Sequence, residues 1–384
     1  GRVDQWLAEQ SAGLSPEARR RARALLYAAL RNLFRIEAIL LPYLKHPLQD
    51  QHPAVRVALL LGVTELHFLD GLPDRLTDPV GWASRACSHP HWILRAMEEL
   101  VDADEVADWA EANQQEPPLV VTWRSEDDAR AHAEALRATR TQLLPSAALL
   151  PSGGRIEERS GFSDGAFWVQ DEAAQLAVAL LGAAPGDTVL DACAAPGGKS
   201  LCLARAVGPA GRVLAVDRDP HRLELLHEGV RRTGLTCIAP TARDLLDEPF
   251  GARPNDARVD RVLLDAPCSG LGVIRRHPDA RYARRETDLP RYAARQRDLL
   301  RAVAPFVAPG GRLVYAVCTF THEETDGVIE EFLHSDIGVE FAVLPADTLL
   351  ELPASAVRGY SLRTYPHRHG ADAFYAVALQ RSTP

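Results

Sequence analysis

The chain has 384 residues, a net charge of -9 and a pI near 5.8, a size for two or three domains at roughly 150 residues each and a charge that excludes indiscriminate binding to polyanions. It contains no run of about 18 apolar residues and no basic-then-apolar leader, so a soluble, cytoplasmic protein with no membrane partner is expected. Six cysteines in so long a chain, none in a Cys-x-x-Cys or Cys/His zinc spacing, exclude a disulfide scaffold and structural zinc; free thiols and no metal are expected.

Residues 1–112 read as an all-α bundle. Leu26, Ala29, Leu30, Leu33 and Leu40 keep helical spacing, as do Val55, Ala58, Leu59, Gly62 and Leu66. Asp78 with Pro79 predicts an N-cap and first helical residue, and Asp102 predicts the cap of a helix running to Asn113. Arg19, Arg20, Arg21, Arg23, Arg31 and Arg35 lie on or beside the first long helix. Arg19 and Arg23 are candidates for RNA phosphate contacts, although a solvated helix face accounts for the spacing equally well.

Pro117-Pro118 breaks this pattern, and residues 113–165 read as a small α/β connector. Residues 119–123 look like a strand, 126–140 like a helix and 151–154 like a turn. From residue 166 to 384 the period becomes strand, helix, strand. Strands are predicted at 188–192, 212–217, 236–240, 260–265, 311–318, 338–344 and 373–380, which makes a Rossmann-like α/β domain with a mostly parallel, seven-stranded sheet covered on both faces.

Chemistry gathers at the strand ends. The loop Cys193-Ala194-Ala195-Pro196-Gly197-Gly198-Lys199 follows the first of these strands and leads into a helix, offering backbone N–H groups to a ligand. Asp217 ends the next strand, where a carboxylate accepts hydrogen bonds from ribose hydroxyls. Together they mark a nucleoside cofactor, and the lack of GxGxxG spacing counts against NAD. Asp265-Ala266-Pro267-Cys268-Ser269-Gly270 ends the fourth strand and Cys318 the fifth. Parallel strand ends lie side by side, so two thiols and a carboxylate are expected to face one crevice. Between Leu271 and Arg301 there are nine Arg against three Asp and one Glu. That local excess predicts phosphate contacts through Arg275, Arg276 and Arg281.

These loops, with Gly272 to Pro278 and Tyr315 to Thr319, resemble the NOL1/NOP2/Sun family of RNA cytosine-5 methyltransferases. The helical region is similar to the NusB-like N-terminal domain found in members that act on small-subunit ribosomal RNA. The resemblance spans nearly the whole chain and implies S-adenosyl-L-methionine as methyl donor and RNA, expected to be 16S rRNA, as partner, with no obligate protein partner. It implies that residues 193–199 line the methionine end of the cofactor, Asp217 its ribose and Asp244 its adenine, with Asp265 between cofactor and base and Lys199 in the catalytic set. It assigns Cys318 as nucleophile and Cys268 to product release. The sequence departs from the family pattern at Val317, Thr319, Arg243 and Ala373, none of which removes a reacting group.

The chemistry explains the residue types. Carbon 5 of cytosine is a poor nucleophile until a thiolate adds to carbon 6, and addition is eased by an acid at ring nitrogen 3, a role suited to Asp265. A base must then remove the carbon 5 proton. Chemistry alone does not order the cysteines, since DNA cytosine methyltransferases attack with the cysteine of a Pro-Cys pair, here Cys268. A small-molecule or protein methyltransferase on the same fold would need neither paired thiols nor a basic run. A purely RNA-binding module would not need Cys268, Cys318 and Asp265 together.

Overall fold

The structure, a computed structural model, describes residues 15–40, 44, 48–50, 53, 55–57, 59–60, 78–247 and 258–383. Of the second predicted helical repeat, Ala58, Gly62 and Leu66 lie outside the described residues. The chain divides into two compact units, Gly1–Pro117 with Val273–Asp288, and Pro118–Gly272 with Leu289–Pro384.

In the first unit the described helices are α1 (Pro16–Arg31), α2 (Leu33–Leu40), α3 (Pro79–Ala86), α4 (His91–Glu98) and α5 (Ala103–Ala112). Asp78 caps α3 by accepting the Gly81 N–H at 2.9 Å, with Pro79 in the first turn. Asp102 precedes α5 but makes no capping bond with its side chain. Apolar Ile93, Leu94, Met97, Val106 and Trp109 are buried completely.

Residues 273–288, read from sequence as part of a basic run that contacts phosphates, belong to this unit. Arg281 is 0 % exposed and Arg275 only 4 %. Arg281 donates to the carbonyls of Arg31 (3.1 Å), Cys87 (3.0 Å) and Asn113 (3.1 Å), which end or cap α1, α3 and α5. The terminal carbonyls of a helix have no partner within it and carry the negative end of its dipole. A guanidinium satisfies them from inside the unit, so Arg281 is not available to a phosphate. Tyr282 adds hydrogen bonds to the carbonyls of Leu30 (2.8 Å) and Ser88 (3.1 Å). Arg19 and Arg23 are exposed, the Arg23 guanidinium lying 5.4 Å from the Tyr27 ring centre.

The second unit begins with an antiparallel sheet of order β2-β3-β1-β4, made from β1 (Leu119–Trp123), β2 (Thr139–Arg140), β3 (Ala147–Leu150) and β4 (Phe167–Val169). The helix predicted over 126–140 is shorter, α6 (Glu126–His132), because residues 139–140 pair with β3. The connector sheet therefore runs past residue 165.

Among the described residues the large sheet has nine strands. Its elements in order are α7 (Glu172–Leu181), β5 (Thr188–Ala192), α8 (Gly198–Val207), β6 (Arg212–Asp217), α9 (Pro220–Thr233), β7 (Ile238–Ala242), β8 (Val259–Asp265), α10 (Leu289–Val303), β9 (Val307–Val317), α11 (Asp326–Leu333), β10 (Phe341–Leu344), β11 (Val357–Arg358), β12 (Ser361–Thr364) and β13 (Phe374–Arg381). The order is β11-β12-β13-β9-β8-β5-β6-β7, with β10 also on β13. β7, β6, β5, β8 and β9 run parallel, whereas β13 is antiparallel to β9, β10 and β12. Residues 338–340, predicted as strand, form a 3₁₀ turn. Separate clusters of buried side chains, Leu176, Leu180 and Leu203 in one and Leu300, Val303 and Phe332 in the other, cover the sheet. Strand order reverses at β5, which has β6 on one side and β8 on the other. A crevice at the strands' carboxyl ends is the ligand site such a reversal makes.

Candidate active site

The loop after β5 is held against the end of β6. Ala194 N–H donates to the Val216 carbonyl at 2.9 Å and Ala195 N–H to Asp217 Oδ2 at 3.0 Å. Asp217 Oδ1 accepts from Asp219 N–H at 2.9 Å. Asp217 thus fixes two loops while keeping lone pairs for a ligand. Gly197 adopts φ +110°, and a Cβ there would come within 2.8 Å of Leu226 Cβ, so glycine is needed where the loop enters α8.

Cys193, Asp217, Asp244, Asp265, Cys268 and Cys318 line one cleft of about 300 Å³. Asp244 stands at its rim, 3.6 Å from Arg295 and accepting the Leu246 N–H at 3.0 Å. Residues 194–199 and Asp265 also line a second cleft of about 480 Å³ toward Trp168, Val169 and Arg232. The two clefts share Cys193, Ala195 and Asp265; carboxylates for hydroxyl and amino donors and an apolar wall at Leu245 in one, with the glycine cradle in the other, fit a nucleoside methyl donor.

At the reactive end, Cys268 Sγ and Cys318 Sγ are 3.4 Å apart. Strand pairing explains the meeting, since Asp265 of β8 is in register with Ala316 of β9. Gly272 N–H donates to the Cys318 carbonyl at 2.9 Å, which ties the two loops further along. Lys199 Nζ lies 2.7 Å from Asp265 Oδ2. Burial opposes the Lys199 charge, but the charge and hydrogen bond of Asp265, with Cys318 and Asp191 adding to them, outweigh it and raise its pKa. The hydrogen bond with Cys318, then burial, then the charges of Cys318 and Glu324 push the Cys268 thiol well above its ordinary value. Burial pushes the Asp191 carboxyl up to about 7, against a 2.5 Å hydrogen bond from Ser200. Its Oδ1 is buried with no hydrogen-bond partner.

The motifs did not point to Glu324 or Gln296, both 0 % exposed. Gln296 Nε2 donates to the Pro267 carbonyl at 3.1 Å and to Glu324 Oε1 at 2.9 Å. They lie on a polar turn and a basic helix, and nothing local in those stretches marks them as buried beside two thiols. Arg275, Arg276, Arg281, Arg19 and Arg23 belong to the helical unit. None of the six cysteines is in a disulfide, and among the described residues no helix is long and apolar enough to cross a membrane.

Comparison with known proteins gives the family and the fold. Residues 178–380 match the 16S rRNA methyltransferase RsmB/F family, and residues 2–77 match the NusB family. The ribosomal RNA small subunit methyltransferase B of Erwinia tasmaniensis is 31 % identical over 399 residues, covering 92 % of this chain and 89 % of its own length. The crystal structure of PH0851 shares the fold with a TM-score of 0.76 at 23 % identity, over 97 % of this chain and 93 % of that one. NSun6 from Pyrococcus horikoshii with SFG gives a TM-score of 0.65 at 18 % identity, over 77 % and 99 %.

Proposed function

Because this chain belongs to the 16S rRNA methyltransferase RsmB/F family, whose members use S-adenosylmethionine to methylate rRNA, we propose that it methylates carbon 5 of a cytosine in 16S rRNA through a covalent bond from Cys318 to carbon 6. The observation that carries this reading is the 3.4 Å approach of Cys268 and Cys318 beside the Lys199–Asp265 pair. A methyl transfer to oxygen or to an exocyclic nitrogen needs no thiol, whereas carbon 5 needs one for addition and a group to take up a proton.

Asp217 would hold the ribose of the cofactor, Asp244 its adenine and the backbone of residues 193–198 its methionine end. When bound, S-adenosylmethionine supplies the electrophilic methyl group that carbon 5 takes. Cys318 adds as thiolate, the form of the thiol that attacks. The Lys199–Asp265 pair holds the proton that ring nitrogen 3 needs as carbon 6 is attacked. Cys268 waits as a thiol that donates toward Cys318. Once Cys318 is bonded to carbon and uncharged, the largest cause of the high Cys268 pKa is gone. Cys268 then releases its own proton to solvent, and the thiolate so formed takes the carbon 5 proton as elimination expels Cys318 as a thiolate and the nitrogen 3 proton returns to the Lys199–Asp265 pair.

The target base leaves the stack to reach this cleft. Exposed Arg19 and Arg23, together with half-buried Arg276, are the basic residues we assign to flanking phosphates. We place the protein in the cytoplasm, with RNA as its macromolecular partner.

The test is a denaturing gel with labelled 16S rRNA. Cys318→Ala is expected to lower methyl transfer by on the order of 10⁴-fold or more and to form no adduct. Cys268→Ala is expected to accumulate a methylated protein–RNA adduct. Adduct from Cys318→Ala with none from Cys268→Ala would make Cys268 the nucleophile. Methylation of rRNA at a site other than cytosine carbon 5, read by bisulfite sequencing, would overturn the whole reading.

A further inference from the structure

Glu324 sits in the 3₁₀ turn His322–Glu324 and is 0 % exposed. Its Oε1 accepts the Ser269 N–H at 2.8 Å and Gln296 Nε2 at 2.9 Å. Its Oε2 accepts the Thr319 and Thr321 hydroxyls, each at 3.3 Å. Ser269 follows Cys268 and Thr319 follows Cys318 in sequence, and their hydroxyls meet at 3.0 Å. One carboxylate therefore ties together the two loops that carry the thiols. Four N–H and O–H donors thus surround this buried carboxylate.

The charges around the thiol pair are unequal. From α8, Lys199 is engaged by Asp265 of β8 at 2.7 Å, and from α10, Arg295 faces Asp244 at 3.6 Å. Tyr315 of β9 donates to the Glu324 carbonyl at 2.7 Å, and burial raises its pKa well above the ordinary value, so it stays a neutral phenol. His322 and Glu323, on the same turn as Glu324, are exposed. Asp217 lies at the far wall of the cleft, fixed by backbone N–H groups. Glu324 is thus the charge near the thiols that has no basic side chain within ion-pair distance among the described residues. After the Cys318 hydrogen bond, burial and the Cys318 charge, the charge of Glu324 also pushes the Cys268 thiol up.

We infer that Glu324 is the positioning residue that sets the roles of the two cysteines, holding both loops in register and keeping the proton of the thiol pair on Cys268 so that Cys318 carries the negative charge. The inference rests on Cys318 being the attacking sulfur, and it concerns what makes it so. Lys199 stabilises charge on one sulfur and Glu324 disfavours charge on the other. Remove the second and the proton is shared.

The experiment is site-resolved alkylation of the full chain with iodoacetamide as a function of pH, without RNA, read by mass spectrometry. Glu324→Gln is expected to speed alkylation of Cys268 at pH 7 by about tenfold, a shift of one pH unit in its midpoint, with little change at Cys318. Glu324→Asp, which keeps the charge, is expected to restore slow alkylation of Cys268. Buried Cys202, at 2 % exposure, reports folding by remaining unlabelled. No acceleration at Cys268, or equal acceleration of both sulfurs in Gln and Asp variants alike, overturns the inference in favour of a purely structural tie. The unsubstituted protein gives an arm of its own: Cys318 is alkylated at lower pH than Cys268, and the reverse order overturns the inference whatever the variants do. The adduct gel fails separately, since it asks which sulfur attacks and not what fixes its charge.

Discussion

Glu324 of the catalytic unit and Arg281 of the helical unit are both fully buried charged side chains with no counter-ion in contact among the described residues, and both are hydrogen-bonded by neutral groups, Arg281 through its terminal nitrogens and not through Nε. Their partners differ in kind. Arg281 collects the carbonyls of Arg31, Cys87 and Asn113, which already belong to helix ends, so its charge is spent on holding helices. Glu324 collects groups flanking two reactive sulfurs, so its charge acts on chemistry as well as on structure. A buried ion costs several kcal/mol to desolvate, and that cost is met in one unit by stability and in the other by the reactivity it sets. Burial lowers the Arg281 pKa to about 10, still far enough above neutral pH for the side chain to remain a cation.

The comparison breaks most directly at Arg281. Arg281→Ala is expected to destabilise the helical unit by about 3–5 kcal/mol, since it strands buried carbonyls at the ends of α1, α3 and α5. Amide hydrogen exchange should show lost protection in α3 and α5. Alkylation of Cys318 should be unchanged, because the substitution leaves the charges around that sulfur in place. A stable Arg281→Ala, or one that alters Cys318 reactivity, would mean that the two buried ions are not divided between structure and chemistry in this way.

A second test sharpens the contrast within the catalytic unit. Asp191 is as buried as Glu324, but its hydrogen bond comes from Ser200 while Oδ1 is left without a partner. Burial accordingly raises its pKa from 3.8 to about 7. Between those values the folded state binds more protons than the unfolded state, so stability is greatest at the acid end and falls as pH rises through the window. Above about 7 both states are ionised and the loss is complete. Asp191→Asn should flatten this slope and gain about 4 kcal/mol at pH 8 relative to pH 4, measured by denaturant unfolding across that range. An unchanged slope would place the titration elsewhere.

How far the sequence reveals this depends on whether the signal is local. The loops at 193–199 and 265–270 were legible because each motif directly follows an apolar strand, and β8 and β9 then bring Cys268 to Cys318 through simple register. β11 and β12 were missed because two and four residues are too few to show a period. The end of the 126–140 helix was misread because Ala133, Glu134 and Leu136 favour helix while Thr139 and Arg140 are claimed by pairing with β3. Arg281 and Glu324 were visible as charges and invisible as buried ions. Their partners, at positions such as Arg31, Cys87 and Ser269, lie far away in the chain, and no spacing rule connects them.

The smallest expected effect returns to the arginines that remained exposed. If Arg281 is structural, the phosphate-binding role read from the local basic run must pass to side chains at the surface, among them Arg19 and Arg23 on α1. Each phosphate contact releases condensed counterions, so log affinity falls with log salt by roughly 0.7 per contact on single strands and 0.9 on duplex. Replacing both arginines with glutamine should weaken rRNA binding only a few-fold near physiological salt, yet reduce the salt slope by about 1–2. The measurement is filter binding of labelled 16S rRNA at several salt concentrations. Arg281→Lys, in the same assay, should leave the slope where it was even if it loosens the helical unit, because its ammonium remains buried among carbonyls. A slope lowered by Arg281→Lys and untouched by the pair Arg19→Gln and Arg23→Gln would return the basic segment 273–288 to the RNA interface and make α1 an ordinary solvated face.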